Sequence, residues 1–136
     1  MDADGYRRSR APPVFDENAA ELKLGPEFQD ARCLMYSEVA ILLEFSQDAD
    51  AEVPEMVQKT LDYVKRFSRF DSQTAVREAR KTLERNQLHQ FEVATVGNLC
   101  PAEAEEAKAL VPSLEGRFAD SDIQDMLVDL SRFRTA

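Results

Sequence analysis

From Val39 to Phe45 the chain reads Val-Ala-Ile-Leu-Leu-Glu-Phe, and in a helix these apolar side chains wrap almost the whole circumference. A helix on the surface of a soluble domain shows one apolar stripe instead. This one therefore needs cover on two sides. The chain has 136 residues, enough for one domain with a tail or arm. The domain covers one side of the helix, and a partner polypeptide is expected to cover the other. The competing reading is a helix that threads the middle of a self-contained bundle.

The rest of the pattern predicts an all-α fold. There are four glycines and no tryptophan among many Glu, Leu, Ala and Arg residues, a balance that favours helices over strands and turns. Residues 1–20 read as a flexible tail, because Arg7-Arg8-Ser9-Arg10 and Pro12-Pro13 offer no periodic apolar face. Residues 21–47 read as an arm and helix that dock on a partner. Within the arm, Leu22-Lys23-Leu24 alternates as a short edge strand would, and it is too short to be stable alone. The first helix is expected from about Pro26 or Glu27 to Gln47. Residues 54–136 read as a helical bundle. A second helix over about 54–70 carries Val57, Leu61 and Val64 beside a neighbouring stripe of Met56, Thr60, Tyr63, Phe67 and Phe70.

Ser72 is placed to cap a third helix, in which Val76, Ala79, Arg80 and Leu83 follow at helical spacing before Asn86-Gln87. A fourth spans about 88–98. A fifth opens at Pro101, with Glu103, Glu105 and Glu106 where the helix dipole favours negative charge, and ends before Pro112. In the last helix, Ile123, Met126, Leu127, Leu130 and Phe133 form one stripe behind a Ser121-x-x-Gln124 capping box.

Charge and chemistry narrow the function. The net charge is −9, so the chain as a whole repels nucleic acid. The segment from Lys59 to Arg85 runs against this, with eight bases and four acids; at +4 it leaves −13 elsewhere. Long basic side chains on two amphipathic helices explain it simply. A nucleic-acid-binding module is the alternative, with Arg80 and Lys81 as contacts. Arg69 between Phe67 and Phe70 could suggest base stacking, but at helical spacing these aromatics read as core. His89 is the single histidine, which leaves no ordinary His/Cys metal cluster, and it reads as a surface or hydrogen-bonded group. Cys33 and Cys100 form no CxxC pair and read as reduced thiols. No run approaches the 18 or so apolar residues of a membrane span. Neither a catalytic site nor a cofactor is expected.

Two blocks carry a resemblance. Thr60-Leu61-Asp62-Tyr63-Val64-Lys65-Arg66-Phe67-Ser68-Arg69-Phe70 is the first. The second is Gly97-Asn98-Leu99-Cys100-Pro101 with Glu103 and the run from Glu105 to Phe118. In order and spacing, over about residues 17–133, they resemble the family of fourth-largest subunits of eukaryotic RNA polymerase II. The resemblance implies a non-catalytic subunit that pairs with the seventh-largest subunit in a stalk on the polymerase core. It implies an HRDC-like helical bundle, a part in initiation and transcript handling, and a nuclear location with the cytoplasm as a second one. RNA proximity would come through the partner. Leu22, Leu24 and Phe28 match the family's partner-facing segment, and Leu34, Glu38 and Leu42 its first helix. The tail from Met1 to Phe15 follows no family pattern, Asn86-Gln87 replaces a more basic pair, and the acidic loop after the first helix is short. A free-standing HRDC-like nucleic-acid-binding module remains the alternative.

Overall fold

The computed structural model describes residues 16–47 and 50–135; the Arg7-Arg8-Ser9-Arg10 cluster lies outside them. Six α-helices follow in order: α1 (Tyr36–Ser46), α2 (Glu55–Phe67), α3 (Gln73–Arg85), α4 (Gln90–Leu99), α5 (Ala104–Leu110) and α6 (Asp120–Ser131). Short 3-10 turns occupy Ala19–Glu21 and Pro112–Leu114. The all-α expectation holds.

Local chemistry sets most of the boundaries. Ser72 caps α3 as expected, its hydroxyl accepting the Ala75 amide at 3.1 Å. At α4 the cap is His89: its Nδ1 accepts the Phe91 amide at 3.1 Å, and Glu92 reaches back to the His89 amide at 2.8 Å. Helix α5 starts at Ala104 rather than at Pro101, with Glu106 accepting the Ala102 amide, and it stops at Leu110 ahead of Pro112.

Other expectations need correction. The first helix begins at Tyr36, about ten residues late, because the preceding amides and side chains are committed elsewhere. Gln29 holds the Leu24 amide and the Leu22 carbonyl, Glu38 takes the Met35 amide, and Asn98 takes the Tyr36 amide. Leu22-Lys23-Leu24 forms no named strand among the described residues; Lys23 makes one antiparallel bridge to Asn18 in its own chain. Ser121 does not cap α6, which has Ala119 at the cap position. Gln124 instead serves the start of α5, accepting from Ala104 N–H and donating to Ala102 C=O.

Two apolar clusters result. The larger joins Met35, Phe70 and side chains of α3, α4, α5 and α6 around Leu83, Val93, Val96, Leu114 and Leu130. The smaller lies between α1 and α2, where Ala40, Leu61 and Val64 pack with Tyr36, Val39 and Leu43. Phe70 is core, as its spacing predicts, whereas Met56, Tyr63 and Phe67 stay exposed, so only one of the two α2 stripes is buried.

Met35 is the joint between the arm and the bundle. It is fully buried, and its thioether lies where a side chain on Gly97 would stand: a Cβ there would be 2.2 Å from Met35 Sδ. Glycine in a helix interior ordinarily costs up to about 1 kcal/mol relative to alanine. Here the clash outweighs that gain. Gly97→Ala is expected to destabilise the chain by about 2 kcal/mol, as overpacking does. Thermal unfolding followed by circular dichroism checks this, and an unchanged or raised Tm would count against the tight joint.

Candidate functional site

Helix α1 is covered along one side by α2, and on the other side only Ile41 packs against the larger cluster. Tyr36, Val39, Ala40 and Leu43 face α2. On the opposite side Ile41, Leu42 and Phe45, together with Leu34, form the apolar wall of an open groove of about 600 Å³. The far wall is α3, through Gln73, Val76, Arg77, Lys81 and Glu84, and Arg32 stands at the arm end. Leu42 is 56% exposed and Phe45 73% exposed. This is the sparsely covered half of the circumferentially apolar helix, with Leu34, Leu42 and Phe45 left exposed.

Arg80 holds the groove's base together. It is 5% exposed although it lies between two helices that face solvent. Its Nε and one terminal nitrogen make a two-pronged pair with Glu38, at 2.6 Å each. The other terminal nitrogen donates to Glu84 at 2.9 Å and to the Gln90 side chain at 3.1 Å, while the nitrogen paired with Glu38 also donates to the Cys33 carbonyl. Burial alone would lower the Arg80 pKa, but the hydrogen bonds and charges of Glu38 and Glu84 outweigh it and the net shift is upward. Glu84 moves the other way: its hydrogen bond to Arg80, then that to Gln90, lower its pKa. One guanidinium thus ties the arm, α1, α3 and the start of α4 into a single unit.

Of the six residues expected to face a partner, the structure brings Leu34, Glu38 and Leu42 together along this groove. The Glu38 carboxylate is taken up by Arg80 and the Met35 amide, so it shapes the wall from inside. Leu22, Leu24 and Phe28 lie on the arm, outside the groove lining. Leu22 and Leu24 are half-buried, and Phe28 is 62% exposed. The arm is fastened to the bundle where the Gln29 carbonyl meets His89 Nε2 at 3.1 Å. Phe45 and Arg77 belong to the groove but were not among the expected contacts. Phe45 sat in the apolar run; nothing in the sequence singled out Arg77.

The geometry also speaks to the rival readings. Arg80, a proposed nucleic-acid contact, is enclosed by carboxylates and cannot reach a phosphate. Arg69 donates to the Asn98 carbonyl, and Phe67 lies against Tyr63, ring centres 4.8 Å apart. Both ring nitrogens of His89 are engaged. Cys100 is buried, and that burial pushes its thiol pKa up, away from reactivity. Among the described residues no group of His, Cys, Asp and Glu is arranged to hold a metal, and no helix is long and apolar enough to cross a membrane.

Fold and groove together define a class: a small all-α bundle with an open apolar groove flanked by cations. The chain belongs to the RNA polymerase Rpb4 family, whose model matches residues 33–134. That span includes α1, α3 and all of the groove except Arg32. The chain is 49% identical over 127 residues to DNA-directed RNA polymerase II subunit 4 of Arabidopsis thaliana, covering 85% of this chain and 92% of that protein. It is 38% identical over 128 residues to subunit rpb4 of the same enzyme in Schizosaccharomyces pombe, covering 89% and 94%. With the Dictyostelium discoideum rpb4 subunit it shares 34% identity over 140 aligned positions, covering 88% and 90%.

Proposed function

We propose that this chain is a non-catalytic subunit of nuclear RNA polymerase II that forms a heterodimer with the seventh-largest subunit. The pair makes the stalk on the polymerase core and serves initiation and transcript handling, with RNA reached through the partner and a second, cytoplasmic pool of the subunit. Leu34, Glu38 and Leu42 form the groove side of the docking surface, and Leu22, Leu24 and Phe28 the arm side. The observation that carries this reading is the half-covered α1. Leu42 and Phe45 stand in water beside Leu34 in one continuous apolar groove wall, and a contiguous patch of this kind supports an interaction site. Membership in a family of polymerase subunits supplies the identity of the larger assembly. Scaffolding is the mechanism: apolar burial holds the partner, and an obligate interface of this kind covers on the order of 2,000 Å² in total.

Co-expression tests it. Mass measurement of the purified chain with the seventh-largest subunit is expected to give a one-to-one complex. Leu42→Asp is expected to abolish co-purification, because an unpaired charge buried at the interface costs several kcal/mol. Leu42 is exposed in the single chain, so the variant retains its helical circular dichroism. Undiminished co-purification of a folded Leu42→Asp variant overturns the docking reading.

A further inference from the structure

The groove also has a chemical character that narrows what enters it. Its floor is aliphatic and aromatic, from Leu34, Ile41, Leu42, Phe45 and Val76, while Arg32, Arg77 and Lys81 stand at its edges. Arg32 and Arg77 make no hydrogen bond or ion pair among the described residues, and Lys81 has only a loose 3.6 Å contact with Glu78 on its own helix. The acids nearby are committed: Glu38 and Glu84 both serve Arg80. A chain of net charge −9 has thus placed three weakly engaged cations around its open apolar cleft, Lys81 loosely paired with Glu78 and Arg32 acting on Glu84 only at longer range.

The walls settle the shape of the occupant. Both are α-helices, whose backbone donors and acceptors are satisfied within the helix. An extended peptide would find no sheet edge here, and its own amides would be left without partners on burial. A helix brings its hydrogen bonds with it. The α1 wall runs from Glu38 to Phe45 and the α3 wall from Gln73 to Glu84, two to three turns each, a length that suits one amphipathic helix lying in the cleft.

We infer that the groove between α1 and α3 receives an acidic amphipathic helix of the partner, its apolar stripe on Leu34, Leu42 and Phe45 and its carboxylates against Arg32, Arg77 and Lys81. This rests on the docking reading above and specifies the partner's side of it. Rim charges of this kind act mainly on the rate of encounter and on salt dependence, while the apolar floor sets how long the complex lasts.

The test uses the purified complex of the full chain with the seventh-largest subunit. For the double variant Arg77→Glu with Lys81→Glu, the association rate is expected to fall about tenfold at low salt. The unsubstituted complex should weaken between about 0.1 M and about 1 M salt, where the screening length drops from about 10 Å to about 3 Å, and the double variant should lose that dependence. Carbodiimide treatment of the unsubstituted complex is expected to couple Lys81 to an Asp or Glu of the partner within a helical segment. If Leu42→Asp dissociates the complex while the double variant keeps its rate and salt response and Lys81 couples to nothing, the acidic helix is refuted and docking survives. If neither substitution matters, docking itself has failed.

Discussion

Arg80→Ala is expected to lower the stability of the isolated chain by about 3–5 kcal/mol, the range for removing one partner of a buried ion pair. For a domain of this length that corresponds to a fall in Tm of roughly 10 °C or more. The size follows from what is left behind. Glu38, whose side chain is 13% exposed, would keep a carboxylate with no cation, and the Cys33 carbonyl and Gln90 amide would lose their donor. Replacing both charges at once, Arg80→Met with Glu38→Leu, should cost far less than Arg80→Ala alone, since no unpaired charge remains. A double variant as unstable as the single one would show that the pairing is not the source of the effect.

The same cluster carries a pH dependence whose sign is fixed. Arg80 lowers the Glu84 pKa below its ordinary value of 4.5. A carboxyl lowered in the folded state contributes stability above its unfolded pKa and loses it as the pH falls through the folded one. The Arg80–Glu84 contribution is therefore complete at neutral pH and fades below about pH 4.5. Glu84 is 42% exposed, so solvent screens this contribution and it is the smaller part of the cluster's effect.

Glu92→Ala is expected to cost a further large amount, about 3 kcal/mol, at an independent place. Glu92 is fully buried in α4 and accepts hydrogen bonds from the Ser113 hydroxyl at 2.6 Å, from Arg117 and from the His89 amide. Its loss opens a cavity, leaves Ser113 unpaired and removes half of the α4 cap. Arg117 is 38% exposed over the Phe118 ring, so when that residue is truncated water can reach the carboxylate. Arg117→Ala should thus be milder than Glu92→Ala. Urea unfolding decides: a lower midpoint at an unchanged slope for Glu92→Ala, larger than that for Arg117→Ala, is the expected pair, and the reverse order would locate the buried charge wrongly.

How far these sites could be read in the sequence depends on the range of the interactions. Helix α3 was legible because Ser72 acts on Ala75, and α6 because Ile123, Met126, Leu127 and Leu130 repeat at short intervals. That α1 is apolar on more than the face it turns to α2 was legible from Val39 to Phe45 alone. Its start was not, since the residues that hold the chain at that point include Asn98, 62 positions from Tyr36, and Arg80, 47 positions from Cys33 in the arm. Arg80 did leave a trace: it falls on the apolar face with Val76, Ala79 and Leu83, where a charged residue has to find a buried partner. Glu92 left a weaker one, a carboxylate in the first turn of α4 that reads equally as a dipole complement. Gln124 was misassigned because its spacing from Ser121 fits a local box, and only the fold shows that the start of α5 takes its amide.

The division of the apolar interior into two clusters has a dynamic consequence. Between α1 and α2 only Ala40, Leu61 and Val64 are buried, and the pair is held to the larger cluster chiefly through Ser37, Glu38 and Met35. Such a seam forms a separate cooperative unit with a lower opening free energy than the rest of the molecule. Fluctuations of the free chain therefore concentrate in that hairpin, whose amides exchange with solvent before those of the larger cluster.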